Sequence, residues 1–385
     1  MRPIPSLPDH TYTNGVRRVS LRPLRFAVVG LGHISQVAVL PAFAHAKSAA
    51  RLTALVSDDP LKRRVLAARY GVTHTYAYKD FDACLRSGEI DAVYIAVPNS
   101  LHRDYAVRAA RAGIHILCEK PMAVTAADCR KMIRAAEQHR VQLMIAYRLH
   151  FEACNLHTIA LLQSGQLGEP RLFHSVFTQQ VRSGDIRLND QLGGGPLYDI
   201  GVYCINAARY LFRDEPTEVT ALTAHGPDRR FQTVEESAGA ILRFSRDRLA
   251  TFTCSFGATD AAMYEVVGTK GKVRVEPAYE YVGSLKASVT IKGKTRVRVF
   301  KPGDQFAPQL IYFSNCVREG RQPEPNGLEG LLDVQIVEAL HRSAQRKRTI
   351  TLRLQAKRIR PDVSQQIYRP PVAKPKGVHT ESPTL

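Results

Sequence analysis

The chain has 385 residues, 54 of them Lys or Arg against 35 Asp or Glu, which gives a formal net charge of +19. Hydrophobic residues at 44% and charged residues at 23% are ordinary for a globular chain and exclude a largely disordered, collagenous or coiled-coil one. No apolar run approaches the roughly 18 residues of a membrane span, and the opening MRPIPSLPDHTYTNG has no signal-peptide core, so a cytoplasmic protein is expected. The cysteines, Cys84, Cys118, Cys129, Cys154, Cys204, Cys254 and Cys316, are scattered and never form C-x-x-C. They read as reduced thiols, not as a disulfide framework or zinc site.

So basic a chain invites nucleic acid, because Lys and Arg concentrate phosphate-bearing partners. The excess, however, gathers at the ends. Arg17, Arg18, Arg22 and Arg25 crowd the start, and His341 to Arg360 holds Arg342, Arg346, Lys347, Arg348, Arg353, Lys357, Arg358 and Arg360 with no acid among them. With no aromatic-rich RNA signature or helix-turn-helix, nucleic acid is not an expected partner, and both ends read as solvated basic extensions.

Residues 1–24 carry Pro3, Pro5, Pro8 and Pro23 and are expected to form an extended arm. From 25 to 150, apolar strand-like and helix-like segments alternate. Strands are expected at Arg25–Val29, Leu52–Val56, Asp91–Val97, Ile114–Cys118 and Gln142–Ala146. Helices are expected at Ile34–Ala46, Pro60–Tyr70, Ser100–Ala112 and Thr125–Arg140, the last capped by Thr125 with Asp128 three residues on. That alternation predicts a doubly wound parallel α/β domain. From 151 to 346 strands follow one another: Arg171–Gln179, Glu218–Ala224, Ala238–Ser245, Leu249–Phe256 and Met263–Gly268. The tight turns Ser245-Arg246-Asp247 and Gly268-Thr269-Lys270-Gly271 favour hairpins, hence a second α+β domain on an open, mainly antiparallel sheet. A helix at Leu328–Arg346 is expected to pack back on the first domain, and 347–385 is a basic, proline-containing tail.

Gly30-Leu31-Gly32-His33-Ile34-Ser35 follows the first strand and opens the first helix. Gly30 permits a tight turn, Gly32 lets the backbone approach a pyrophosphate, and the helix start supplies amide donors, with His33 and Ile34 beside them. Ser35 replaces the third glycine. A bare glycine turn is the plain alternative, but this position favours a dinucleotide site. After the second strand, Ser57 can donate to a 2′-phosphate and Lys62 stands about one helical turn further on, with Arg63 and Arg64 beside it. Asp58, followed by Asp59, is the counter-signal for a ribose 2′-hydroxyl, so NADP is expected ahead of NAD.

The strand ends Val97-Pro98-Asn99-Ser100-Leu101-His102 and Cys118-Glu119-Lys120-Pro121 lie where doubly wound folds place ligands, so Pro98, Asn99, His102, Glu119 and Lys120 are candidate cofactor contacts. A lysine ending a buried strand either pairs with a carboxylate or serves chemistry, and spacing alone leaves the two open. Gly193-Gly194-Gly195-Pro196 precedes Leu197-Tyr198-Asp199-Ile200-Gly201-Val202-Tyr203, where a helix start would put Asp199 and Tyr203, four apart, on one face. Taken alone, that pair reads as helix packing and capping. Arg148, a further cofactor candidate, joins His150, Arg182 and Arg187 as polar residues near strand ends or loops, with plain surface positions as the alternative.

Together, G-L-G-H-I-S, V-P-N-S-L-H, C-E-K-P and G-G-G-P-L-Y-D-I-G-V-Y resemble the Gfo/Idh/MocA oxidoreductases, nearest the glucose–fructose oxidoreductase branch, from about Arg25 to about Arg346. The resemblance implies a Rossmann domain, a second domain whose open sheet face joins subunits in a dimer or tetramer, and Lys120, Asp199 and Tyr203 at the reacting hydroxyl. A histidine is usual in the wider family where Tyr203 stands; tyrosine points to sugar chemistry. Ser57 and Lys62 match that branch's 2′-phosphate contacts, and the proline-bearing arm resembles the arm it lays over its cofactor. The expected activity is NADP-dependent hydride transfer to or from a sugar, with Tyr203 as the base and no metal. A sugar–sugar ping-pong reaction on retained cofactor, and a non-catalytic NADP-responsive binding protein, are the alternatives.

Overall fold

This computed structural model describes residues 22–385. The expected arm at 1–24, with Arg17 and Arg18, lies outside the described residues apart from Arg22, Pro23 and Leu24.

The first layer is a parallel sheet. Strand β1 (Leu24–Val29) leads through a helical path of one π turn (Ser35–Val39), α1 (Leu40–Ala42) and a 3₁₀ turn (Phe43–His45) into β2 (Ala50–Val56). Helix α2 (Pro60–Tyr70) occupies the expected span because Asp59 accepts from the amides of Leu61 and Lys62 and Gly71 ends it with φ +65°. A three-residue strand β3 (His74–Tyr76) and a short helix α3 (Phe81–Arg86) come next, both too short to leave a periodic signal. They are followed by β4 (Ala92–Ile95), α4 (His102–Arg111), β5 (His115–Cys118), α5 (Ala126–Gln138) and β6 (Leu143–Ile145). Thr125 caps α5 as expected, accepting from Asp128 N at 3.1 Å. Among the described residues the strand order is β3-β2-β1-β4-β5-β6, so the chain reverses direction beside β1 and opens a crevice between the carboxyl ends of β1 and β4.

Helix α6 (Ala153–Gln163) joins this layer to the second sheet. That sheet comprises β7 (Pro170–Gln180), β8 (Glu218–Ala224), β9 (Ser237–Arg243), β10 (Leu249–Ser255), β11 (Gly257–Gly268), β12 (Gly271–Val275), β13 (Leu285–Ile291) and β14 (Lys294–Phe300), and its edge is extended by β15 (Ile350–Thr351). Helix α7 (Val202–Phe212) lies under it, inserted between β7 and β8. All its pairings are antiparallel except β10 with β7. Helices α8 (Ala307–Glu319) and α9 (Gly327–Arg346) return to the first layer. The expected return of α9 is close: a Cβ at Gly330 would fall 2.7 Å from the Met122 side chain and 3.1 Å from that of Ile145. All seven cysteines are buried free thiols. No helix among the described residues is long and apolar enough to cross a membrane.

At two positions the basic run departs from its reading as a solvated extension. Lys357 and Arg360 are buried, the first pairing with Glu324 and with Glu329 at 2.8 Å, the second with Glu215 at 2.7 Å. These acids come from α9 and the loops around it and α7, so two cations of the run enter a buried network with Arg209 and Asp333, where pairing offsets desolvation, while Arg342, Arg346, Lys347, Arg348, Arg353 and Arg358 are exposed as expected.

Candidate active site

A cleft of about 500 Å³ runs between the two layers, a size suited to a small ligand or part of a cofactor. At one end is the glycine turn. Gly30 has φ +96°, and a Cβ there would sit 2.4 Å from Ala96 O, so the turn tolerates only glycine. A Cβ on Gly32 would meet nothing within 4 Å, which leaves backbone facing open cleft where a pyrophosphate can approach. Ser35 Oγ donates to Gly30 O at 2.6 Å, fixing the turn from beneath. His33 and Ile34 line the cleft beside it.

Ser57, Lys62 and Tyr78 form the next corner. Asp58, the counter-signal, is not part of the lining: its Oδ1 accepts from Tyr78 N at 2.7 Å. Asp59 is occupied by its cap and by His379 at 3.0 Å. The corner therefore presents a hydroxyl and an ammonium with neither acid turned into it, the donor set a 2′-phosphate requires and a bare ribose does not.

Pro98, Asn99, His102, Glu119 and Arg148 also line the cleft, but the four with polar side chains are committed to the protein. Asn99 Nδ2 donates to Gly193 O at 2.8 Å, tying the two layers. The His102 ring lies between Val97 O at 3.0 Å and Pro121 O at 2.9 Å, so it braces two strand ends instead of pointing a nitrogen at a ligand. Arg148 is buried and holds Gln305 and Tyr279 O, its guanidinium lying 5.0 Å over the Tyr203 ring. Glu119 accepts from Tyr94 OH at 2.6 Å, and burial pushes its carboxyl up.

Lys120, Asp199 and Tyr203 meet at the other end. Pro196 opens a π turn at Leu197–Gly201 that continues as α7, so Asp199 and Tyr203 do share a face. Lys120 Nζ donates to Asp199 Oδ1 at 2.9 Å and to Asp199 O at 2.8 Å, and lies 4.7 Å over the Tyr203 ring. Arg187 Nε donates to Asp199 Oδ2 at 2.7 Å. Burial works against both charges, but Asp199 holds the Lys120 ammonium above its ordinary range, and Arg187 with Lys120 holds the Asp199 carboxyl well below the usual carboxylate range. Both are charged at neutral pH. The Tyr203 hydroxyl has no hydrogen-bond partner among the described residues, and any negative charge developing on this phenol would face two cations.

Of the other polar candidates, Arg187 belongs to the site, whereas His150 is buried against Asn206 at 2.8 Å and Arg182 stands outside the lining. Sequence reasoning missed Tyr78, Gln179, Asp260, Tyr279, Glu280 and Tyr281. Only the pairing of β11 with β7 and the return of the chain after β12 bring most of them here, and no local pattern marks them.

Comparison with known proteins agrees with this arrangement. Residues 24–147 match the family model described as an oxidoreductase family with an NAD-binding Rossmann fold, and 156–274 match the GFO/IDH/MocA C-terminal domain. The D-xylose 1-dehydrogenase [NADP(+)] of Haloarcula marismortui is 32% identical, over 86% of this chain and 93% of its own. The chain belongs to the Gfo/Idh/MocA oxidoreductase family. Among solved family members, an aldose–aldose oxidoreductase from Caulobacter crescentus, complexed with glycerol, is 38% identical with a TM-score of 0.83, over 86% of this chain and 100% of that one. A 3-ketoreductase from Actinomadura kijaniata, in complex with NADP and TDP-benzene, is 27% identical with a TM-score of 0.77, over 84% and 98%. The fold and recognition expected from the sequence are thus borne out.

Proposed function

We propose that this protein is an NADP-dependent sugar oxidoreductase, and that the decisive observation is one cleft holding the Gly30–Gly32 turn and Ser57–Lys62 corner at one end and Lys120, Asp199 and Tyr203 at the other. A bound nicotinamide dinucleotide supplies the two-electron hydride acceptor or donor. Gly32 backbone and the following helix start hold the pyrophosphate, while Ser57 and Lys62 hold the 2′-phosphate. Asp199, fixed between Lys120 and Arg187, accepts from a sugar hydroxyl and orients it. Lys120 is an ammonium and cannot take a proton, so Tyr203 as the phenolate takes the hydroxyl proton in sugar oxidation and as the phenol returns it in reduction, with the Lys120 and Arg148 cations offsetting charge on its oxygen.

An NADP-dependent xylose dehydrogenase and an aldose–aldose oxidoreductase among the relatives support an aldose as substrate. The latter also supports exchange between two sugars on one retained cofactor. The outer face of the second sheet exposes Leu172, Leu222 and Ile241 on its β7 to β8 side and Val297 and Val299 on β14 at its edge, which supports a homodimer or homotetramer through that face, testable by light scattering. For the activity, the test is absorbance of the purified protein before and after adding aldoses, with the denatured supernatant assayed for NADP and NAD. A reduced-nicotinamide band that grows with sugar is expected. Absence of nucleotide, with no reduction of added NADP⁺ or NAD⁺ by any aldose in a panel, overturns the reading.

A further inference from the structure

The glycine turn, the Ser57–Lys62 corner and the Lys120–Tyr203 end leave one side of the cleft to a segment outside both family matches. After β15 the chain is irregular but firmly anchored. Past Lys357 and Arg360, Gln365 Nε2 donates to Glu324 O at 2.7 Å, Asp304 N donates to Arg369 O at 2.9 Å, and Arg369 Nε donates to His45 O at 3.1 Å. It then crosses the mouth of the cleft, where Lys374, Ser382, Pro383 and Thr384 join the lining.

Both lips hold this crossing. On the dinucleotide side the wholly buried Gln36, one residue beyond Ser35, donates to Val378 O at 3.0 Å and accepts from Val378 N at 2.8 Å. One side chain thereby satisfies both backbone groups of a residue, as a neighbouring strand would. Arg69 donates to Lys376 O at 2.9 Å and His379 pairs with Asp59 at 3.0 Å. On the opposite lip Arg182 N donates to Pro383 O at 2.9 Å, Arg182 Nε to Thr384 O at 2.9 Å, and Leu385 N to Gln180 O at 3.0 Å. Lys374 is exposed, has no carboxylate within ion-pair distance among the described residues, and is near enough to His33 on the glycine turn for its charge, after burial, to disfavour the imidazolium.

We propose that Lys374–Leu385 is a strap that retains the dinucleotide in its cleft, with Lys374 the cationic partner of the pyrophosphate at the glycine turn. The proposal rests on the NADP reading of this cleft and deepens it. Contacts on both lips must break before a bound nucleotide leaves, so the strap acts on release more than on association. An ammonium beside the pyrophosphate serves NADP and NAD alike, because both carry that group, whereas Lys62 serves NADP alone.

The test compares the full chain with a variant ending at Ala373, which keeps Lys357, Arg360, Gln365 and Arg369, and with Lys374→Ala and Arg182→Ala. Release of NADPH is followed by stopped-flow displacement once melting curves confirm folding. The shortened chain is expected to release NADPH at least about tenfold faster with association within about twofold of the full chain. Lys374→Ala is expected to weaken NADP and NAD by the same factor, roughly three- to tenfold. Should the shortened chain not fold, Arg182→Ala alone, which loses the Thr384 and Glu381 contacts, is expected to speed release about threefold. Unchanged release in the folded variants overturns the strap, and an effect of Lys374→Ala on NADP only overturns its pyrophosphate role. A full-length chain that binds neither dinucleotide overturns the NADP reading itself, a result distinct from either.

Discussion

Replacing Lys62 with alanine removes the ammonium that lines the cleft beside Ser57 while leaving the cap of α2, made by Asp59, in place. A hydrogen bond to a charged group is worth about 1.5–3 kcal/mol, and because Lys62 is half-exposed the lower figure applies. About 1.4 kcal/mol is tenfold, so NADP⁺ affinity should fall about tenfold while NAD⁺ affinity stays within about twofold. Asp58→Asn is the companion measurement. In a site built for a ribose hydroxyl that carboxylate would face the nucleotide, but here it holds Tyr78 N at 2.7 Å outside the lining. The substitution should leave the NADP⁺-to-NAD⁺ affinity ratio within about twofold of the parent. Calorimetric titration of nucleotide-stripped protein with each dinucleotide measures both. Equal weakening of NADP⁺ and NAD⁺ by Lys62→Ala, or a tenfold shift toward NADP⁺ in Asp58→Asn, would refute the assignment of this corner.

Lys120→Met and Tyr203→Phe should each lower kcat by about 10²-fold or more with NADP affinity nearly unchanged, as steady-state rates beside cofactor titrations would establish. Gly30→Ala should lower the melting temperature, because its Cβ would meet Ala96 O at 2.4 Å, whereas Gly32→Ala should melt like the parent and bind dinucleotide more weakly, its Cβ filling open cleft. The depressed Asp199 carboxyl retains its charge above the ordinary carboxylate range and loses it only as pH falls through its lower folded value. Asp199 should therefore contribute no acid limb to the kcat/KM profile between neutrality and about pH 5, and an acid limb near pH 6 that vanishes in Asp199→Asn would contradict this. Arg209→Leu strands Asp333 and takes one of two cations from each of Glu215 and Glu329, so urea unfolding should register a loss of about 3–5 kcal/mol or a chain that fails to fold.

The first layer was legible because each signal is local. The Gly30 turn follows an apolar strand, Asp59 and Gly71 bracket α2, and Thr125 caps α5. What escaped had either too few residues for a period, as in β3 and α3, or depended on partners distant in sequence. Lys120 shows the limit: strand-end spacing could not separate ion pair from chemistry, and its carboxylate lies 79 residues away on another element. His102 shows the reverse, a polar residue at the right strand end whose ring is consumed by Val97 and Pro121 carbonyls. Lys357 and Arg360 escaped the reading of the basic run as solvated because the acids of α9 and its neighbours, invisible in the local sequence, are brought beneath them, while the rest of the run is exposed as expected.

The same contacts that set the charge of the site also join the two layers. Lys120 at the end of β5 reaches Asp199 before α7, Asn99 after β4 reaches Gly193 O, and Tyr198 OH donates to Val124 O at 2.8 Å. Closing the layers therefore completes the ionisation of the site: separation would expose Lys120 and leave the Asp199 carboxylate with Arg187, from its own layer, as its one remaining cation. A loss of activity in Lys120→Met would on its own conflate a missing ammonium with a loosened cleft. Tyr203→Phe keeps all three ties and removes one oxygen, so a matching loss of kcat in both variants, with melting temperature reduced only in Lys120→Met, would separate the proton step from the closure that prepares it.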